Sequence, residues 1–426
     1  MTSRRKFIQN LTASSGLLLS ASAIASRAET LSSAIDQIKK SPNPEKEDVF
    51  WKQIQLAYTV SPNLINLNNG GVSPQPDVVQ EAVKKYTSFS NETPSYYMWR
   101  VLDKDREAVR TGLADLAGTS PETIAINRNT TEALDTVIFG LDLEKGDEVV
   151  LSHFDYPNMM SAWKQREMRD GIKLKWVDLK LPESKKEKII EQYLDQVSSK
   201  TKVLHITHLI NWIGQVVPVK ELCEEANKRG IITIVDGAHT FAHLNFSIAD
   251  FNCDYFGTSL HKWLCAPFGT GMLYMNEERI TKTWPLTPDH DPKRNDIRKF
   301  ENLGTRSIPA EIAIGSAIDF HNMIGSDRKA KRLFFLKDYW ASQAQEMPGV
   351  TINTPSEPEL SGALAHVSIE GKTGRDIERH LLSKYRIHCV AIEYRGFDGV
   401  RITPNVYTVQ SDLDKLLEGL SDLTRA

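Results

Sequence analysis

Two residues, Asp236 and Lys262, set the chemistry to look for. Asp236 closes the β-branched run Ile231-Ile232-Thr233-Ile234-Val235 and leads into Gly237-Ala238-His239. A short, wholly buried run of this kind reads as a strand, and it delivers its acid to a carboxyl end. Lys262 lies between His261 and Trp263, shortly before Gly269-Thr270-Gly271. Burial among apolar neighbours penalises an ammonium, so such a lysine loses its proton readily. An acid at a strand end and a deprotonatable lysine are the groups that pyridoxal 5'-phosphate (PLP) requires. The lysine forms a Schiff base, and the carboxylate keeps the pyridinium nitrogen protonated so that the ring can take up electrons. The pair alone leaves a second reading open, an acid at the edge of a core and a solvent-facing lysine.

The elements that must position this pair narrow the choice. Strand and helix patterns alternate: a strand at 148–152, a helix after Pro157, a strand at 174–178, a helix around 188–197, a strand at 203–207, a helix over 219–229 and the strand at 231–235. That alternation predicts an α/β chain with a mostly parallel sheet and helices on both faces. Ligands of such sheets sit beyond the carboxyl ends of the strands. Tyr156, His208, Asn211, Asp236, His239 and Lys262 all fall just after a strand. Tyr156 could stack on a flat ring or pack in the core. A further strand, 124–126, runs into Asn127-Arg128-Asn129-Thr130-Thr131-Glu132 and a helix with Leu134, Val137, Ile138 and Leu141 along one side. Thr130 fits an N-cap there. The same strand, turn and helix N-terminus also suit a phosphate.

Other segments are less pointed. Residues 64–74 read as a strand entering a turn at Gly70-Gly71, either an ordinary turn or a close backbone approach to a ligand. Residues 76–89 and 103–117 read as amphipathic helices, with Tyr96–Arg100 an aromatic-rich loop between them. Residues 284–299, charged and proline-bearing, read as a surface excursion near the site mouth. The tail reads as helices at 310–324, 331–347, 375–385 and 412–423, with strands at 350–352, 363–369 and 387–392. His205 and His208 stand three apart on a strand and face opposite ways, so they are no metal pair. His239 and His243 suit a helical pair but lack a third ligand, and no metal is expected.

The N-terminus carries Ser3-Arg4-Arg5-Lys6-Phe7, a twin-arginine pattern. A mildly apolar stretch at 11–24 follows, with small-residue cleavage sites at Ala23-Ile24-Ala25 and Ser26-Arg27-Ala28. Residues 1–28 therefore read as a signal peptide, too short and polar to span a bilayer. Export by the twin-arginine translocase carries folded proteins, which predicts a periplasmic enzyme loaded with its cofactor beforehand. Residues 29–48 read as a linker. A net charge of −3, from 52 basic and 55 acidic residues, implies no nucleic-acid partner. The four cysteines show no paired spacing and read as free thiols.

Several motifs now stand in order: Thr130-Thr131-Glu132, Asp155-Tyr156-Pro157, His208 with Asn211-Trp212-Ile213-Gly214, Val235-Asp236-Gly237-Ala238-His239, Ser259-Leu260-His261-Lys262 and Gly304-Thr305. With them the chain, over about residues 66–420, resembles the class V aminotransferase family of PLP-dependent enzymes, which holds cysteine desulfurases and isopenicillin N epimerase-like proteins. The resemblance implies PLP-dependent transferase fold type I: a large domain (76–309) with a mostly parallel seven-stranded sheet, a smaller α+β C-terminal domain (310–426), and residues 49–75 packing on the latter. It implies Lys262 as Schiff-base lysine and proton shuttle, with Asp236 on the pyridinium nitrogen. His239 and Asn211 fall near the ring oxygen, and Tyr156 on the ring face. Thr130, Thr131, Ser259 and His261 match the phosphate cup. Thr305 matches a phosphate contact made to a second subunit, hence a homodimer. Arg401, in Gly399-Val400-Arg401-Ile402-Thr403-Pro404, matches the site of the substrate α-carboxylate, where a guanidinium fork binds bidentately.

The resemblance has one departure. Desulfurases need a mobile cysteine near the C-terminus. Here Cys389 lies inside a strand-like segment and 391–400 holds none, so Cys389 reads as a buried small hydrophobe. The expected activity is aminotransferase-type chemistry at the amino group or Cα of an amino-acid substrate. C–S lyase or epimerase chemistry on a small amino acid, and PLP binding without turnover, are the other readings. A twin-arginine signal on this core also resembles exported PLP enzymes that tailor siderophore side chains, which makes a peptide-like substrate a further expectation.

Overall fold

The structure is a computed structural model that describes residues 44–425. The twin-arginine pattern, its cleavage sites and residues 29–43 lie outside the described residues. Residues 44–48, expected as linker, instead open the helix Pro44–Leu56. Proline suits a first helical position, where its missing N–H costs no hydrogen bond. That helix buries Phe50, Trp51 and Ile54 against Phe320, Leu333, Val406 and Tyr407.

Strand β1 (Ile65–Asn66) comes next. The large sheet draws on β2 (Ile124–Asn127), β3 (Glu148–Ser152), β4 (Lys173–Val177) and β5 (Thr201–Thr207). A small hairpin of β6 (Leu209–Ile210) and β7 (Gln215–Val216) stands apart from it. The sheet is completed by β8 (Ile232–Asp236), β9 (Tyr255–Ser259) and β10 (Gly271–Met275). Its seven strands lie in the order β2-β10-β9-β8-β5-β3-β4. Strands β3, β4, β5, β8 and β9 pair in parallel, and β10 runs antiparallel to both its neighbours. The ends of β2, β3, β5, β8 and β9, and the start of β10, therefore share one edge.

Adjacent strand residues feed two different cores. Val150, Leu204, Val235 and Phe256 join one cluster, and Val149, Val203, Ile234 and Tyr255 join the other. Side chains alternate across a strand, so a sheet covered by helices on both faces needs consecutive apolar residues. This is why the strand ending at Asp236 is visible as the unbroken β-branched run Ile231–Val235.

The C-terminal part begins with helices Ile308–Ile324 and Ser326–Gln345. Its sheet holds β11 (Val350–Ile352) and β12 (Ala365–Ile369). Strand β13 (Ile387–His388) leaves it to pair in parallel with β1. Strands β14 (Val390–Tyr394) and β15 (Phe397–Ile402) complete an antiparallel order β11-β12-β15-β14. The expected strand at 387–392 is thus two strands, and β15 was missed. Tyr394 faces Phe397 across the two-residue turn Arg395-Gly396, where both φ angles are positive, 48° and 90°. Such a turn favours Asn-Gly or Asp-Gly, and an arginine in its first position conceals it.

Two further expectations are corrected. Tyr96–Arg100 is not a loop: Pro94–Tyr96 forms a helical turn and Tyr97–Leu102 a π-helical one, running straight into the helix Asp103–Ala117. Packing decides this, because Phe89 lies 4.1 Å from Tyr97 between ring centroids and Leu102 is buried against Ile308 and Ile312. Lys299, taken as part of a surface excursion, is fully buried, its Nζ donating to Ile280 O and Pro292 O.

Candidate active site

Lys262 follows β9 in a tight loop. Leu260 N donates to Thr270 O at 3.0 Å and Ala266 N to Leu260 O at 3.0 Å. Cys265 takes the left-handed φ of 58° that closes the turn, a conformation disfavoured for any residue with a Cβ. The Lys262 Nζ reaches 3.0 Å from His239 Nε2. Burial lowers the Lys262 pKa to about 8; Asp236 opposes the shift and Arg401 adds to it. His239 is held well below the ordinary imidazole value by burial, then by Lys262 and Arg401. A neutral His239 that accepts from Lys262 at Nε2 carries its proton on Nδ1, which is buried without a partner.

Asp236 ends β8 and is almost fully buried. Its Oδ1 accepts from Ala238 N at 2.9 Å. Burial raises its pKa, and the Ala238 bond and Lys262 counter that rise. Below it His208 N donates to Asp236 O, and the His208 ring bonds Thr240 between Phe246 and Phe251. Burial takes His208 down to about 3, so this ring is a neutral prop. His239 and His243 lie on turns and not on a helix. His243 spends Nδ1 on His239 O and Nε2 on Ala363 N. Among the described residues no group of three His, Cys, Asp or Glu is placed to hold a metal ion.

The N-terminus of the helix Thr130–Gly140 faces the same edge. Its cap is Asn129, whose side chain accepts from Glu132 N at 2.9 Å, and not Thr130 as expected. Thr130 stands inside the first turn, with Oγ1 2.8 Å from Ser259 Oγ and its N–H donating to the same oxygen. Thr131 is next on that turn, half-buried. Gly271 admits this close approach: a Cβ there would stand 2.6 Å from Asn129 backbone. His261 donates from Nδ1 to Thr270 O, leaving Nε2 open.

Arg401 reaches the edge from β15. It is buried, donating from Nη1 to Asn211 O and from Nη2 to Asn68 Oδ1, each at 3.0 Å, with Nε unpaired. Burial lowers its pKa to about 10. Tyr156, after β3, is 41% exposed, so its ring is free to cover a ligand. Thr305 is exposed on the segment before the helix Ile308–Ile324.

Two residues carry roles that sequence reasoning did not give them. Asp155 is fully buried; it accepts from Ser152 N and from Thr207 Oγ1, each at 2.7 Å, and so ties the end of β3 to the end of β5 beneath Tyr156. Burial raises it to about 7. Its signal was an acid in the turn that follows a strand. Asn68 orients Arg401, and its only signal was the Asn-Asn-Gly-Gly turn.

This donor set fits PLP. A lysine with a weakened hold on its proton lies beside a buried carboxylate. A hydroxyl pair at a helix N-terminus suits a phosphate, and an exposed aromatic ring suits a planar ring. Among the described residues, the buried donors His239 Nδ1 and Arg401 Nε find no acceptor.

Comparison with known proteins agrees in extent with this site. The family model "Aminotransferase class-V" matches residues 65–416. Isopenicillin N epimerase of Streptomyces clavuligerus is 30% identical over 393 residues, covering 88% of this chain and 98% of the relative. A protein of Halalkalibacterium halodurans named "Probable cysteine desulfurase" is 28% identical over 385 residues, 84% of this chain and 92% of its own. Among solved structures, a mutant of C-DES with glycine covalently linked to the PLP cofactor superposes with a TM-score of 0.77 at 22% identity, over 85% of this chain and 97% of that one.

Proposed function

We propose, from the premise that this chain belongs to the aminotransferase class-V family, that it is a PLP-dependent enzyme moving a proton at Cα of an amino-acid or peptide-like substrate. The observation that carries this reading is Lys262: its ammonium is destabilised by burial, it contacts His239, and it feels the buried carboxylate of Asp236. When bound, PLP supplies a sink for the electron pair left at Cα.

The chain's own residues do the rest. Thr130, Thr131, Ser259 and His261 would hold the phosphate, Tyr156 the ring face, His239 and Asn211 the ring oxygen, and Asp236 the ring nitrogen. Arg401 would take the substrate α-carboxylate on its fork. A lysine of pKa about 8 is in part neutral near neutral pH, so Lys262 would both hold the cofactor and carry a proton at Cα. Asp155 and Thr207 brace the Tyr156 turn so that the ring stays over the site.

Return of the proton to Cα, an epimerisation, is the finer reading supported by the likeness to an isopenicillin N epimerase along nearly its whole length. Aminotransferase chemistry is the second reading, on the family alone. Persulfide-forming desulfuration is disfavoured because all four cysteines are buried, and burial takes the Cys223 and Cys389 thiols up to about 12. The same proposal has the enzyme a periplasmic homodimer, with the exposed Thr305 reaching its partner's cofactor; sedimentation of the purified protein tests the dimer.

Incubation of holoenzyme with an amino-acid panel in D2O tests the chemistry. Deuterium at Cα with mixed stereochemistry is the expected outcome. A 2-oxo acid would favour transamination, and a sulfur product would favour lyase chemistry. Absence of Cα exchange across the panel would sink the Cα reading.

A further inference from the structure

The tip of the β6–β7 hairpin, Asn211-Trp212-Ile213-Gly214, belongs to the large domain, yet each of its residues is held by the small one. Asn211 O accepts from Arg401 Nη1 at 3.0 Å. The Trp212 ring stacks on Tyr394, centroids 4.6 Å apart and planes within 19°. Ile213 O accepts from Thr354 Oγ1 at 2.5 Å. Gly214 O accepts from Gly362 N at 2.9 Å, and Gly214, at φ 82°, packs so close to Leu364 that a Cβ would stand 2.3 Å from its carbonyl oxygen.

The stacked pair is itself tied to the turn that carries Tyr156. Trp212 Nε1 donates to Phe154 O at 3.1 Å, and Tyr394 OH donates to His153 O at 2.7 Å. Tyr394 lies on β14, and its neighbour in the hairpin, β15, carries Arg401. One aromatic contact therefore links the strand pair bearing Arg401, the peptide that Arg401 bonds, and the turn beneath Tyr156.

We infer that Trp212 and Tyr394 form a clasp that sets the plane of the Arg401 guanidinium, and so tunes affinity for the α-carboxylate of the substrate without touching cofactor or substrate. The inference rests on the reading of Arg401 as the carboxylate site. Arg401 has two fixed acceptors, Asn211 O and Asn68 Oδ1, and its plane follows theirs. A bidentate fork rewards planarity, and misplacement of about 1 Å costs up to roughly a hundredfold. The Asn211 peptide is only as well placed as Trp212 beside it. Trp212 and Tyr394 are thus positioning residues.

The test is titration of holoenzyme with an amino acid, read by the cofactor's visible band, alongside steady-state KM and kcat. Losing an aromatic pair weakens binding by about three- to tenfold. Tyr394→Ala is expected to raise the dissociation constant and KM by that factor, with kcat held within about twofold. Tyr394→Phe keeps the stack and is expected to stay near wild type. For the matching amine that lacks a carboxylate, wild type and Tyr394→Ala are expected to bind alike. Should Tyr394→Ala not fold, Trp212→Phe carries the same expectation at the lower end of the range. Unchanged KM in both variants, or an equal loss toward the amine, overturns the clasp. Arg401→Gln separates the two claims. If it raises KM while Tyr394→Ala and Trp212→Phe do not, the clasp fails and the carboxylate site stands; if it leaves KM unchanged, the carboxylate site fails and the clasp with it.

Discussion

The strand-end edge of the large sheet, proposed to face the cofactor, and the Arg401 corner beside it are built in opposite ways. At the edge each group is delivered by the strand just before it: Thr130 after β2, Asp236 at the end of β8, Ser259 at the end of β9 and Lys262 in the loop that follows. At the corner Arg401 is oriented by Asn68, 333 positions away, and by Asn211, 190 positions away. A parallel sheet suffices to gather the first set, because its strands all end on one side. The second set exists only when two domains dock. The edge should therefore govern whether chemistry happens, and the corner how tightly a substrate is held.

The largest effect should come from the edge. Lys262→Ala is expected to remove the visible lysine-bound cofactor band and to cut turnover by roughly 10²–10⁴-fold from lost proton transfer alone. Full activity in that variant would end the division of labour described above. Asp236→Asn should retain cofactor yet lose about 10²–10³-fold in kcat, because the carboxylate proposed to pair with the ring nitrogen is gone. Single-turnover kinetics on loaded protein would show it.

The pH dependence sharpens the same contrast. A lysine lowered to about 8 is mostly protonated below that pH, and only its neutral amine could take up the cofactor. Cofactor capture by apoprotein should thus climb about tenfold per pH unit up to about pH 8 and level above it. A climb continuing toward the ordinary lysine value of 10.5 would mean that burial does not tune Lys262. The smallest effect belongs to the corner. Asn68→Ala removes one charged hydrogen bond to Arg401, and KM should rise about tenfold while the cofactor band and kcat hold. A matching fall in kcat would erase the difference between edge and corner.

The edge was also the part legible beforehand. Buried parallel strands write themselves as apolar runs, and the residue after each run is where ligands bind, so Asp236, Lys262, Tyr156 and the Thr130-Thr131 turn stood out. Details that depend on packing did not. Thr130 looked like the cap, but Asn129 takes that role once Ser259 comes within reach of the Thr130 hydroxyl. Tyr96–Arg100 looked like a loop, until Phe89 and Ile308 gave its side chains a surface to wind against. Strand β15 was hidden because its turn uses Arg395 where asparagine or aspartate would have announced it. Lys299 read as a surface charge, yet it is buried and its ammonium donates to carbonyl oxygens from two separate segments.

By itself the sequence determined the large α/β layer, the strand ends, and the pairing of an acid with a lysine, since periodicity and residue type are local properties of the chain. Only the tertiary structure decided how Asn68, Asn211 and Arg401 converge, which groups lose water and shift their protons, and how Trp212 meets Tyr394. Those features depend on distances between residues far apart in the chain, and no local pattern records such distances.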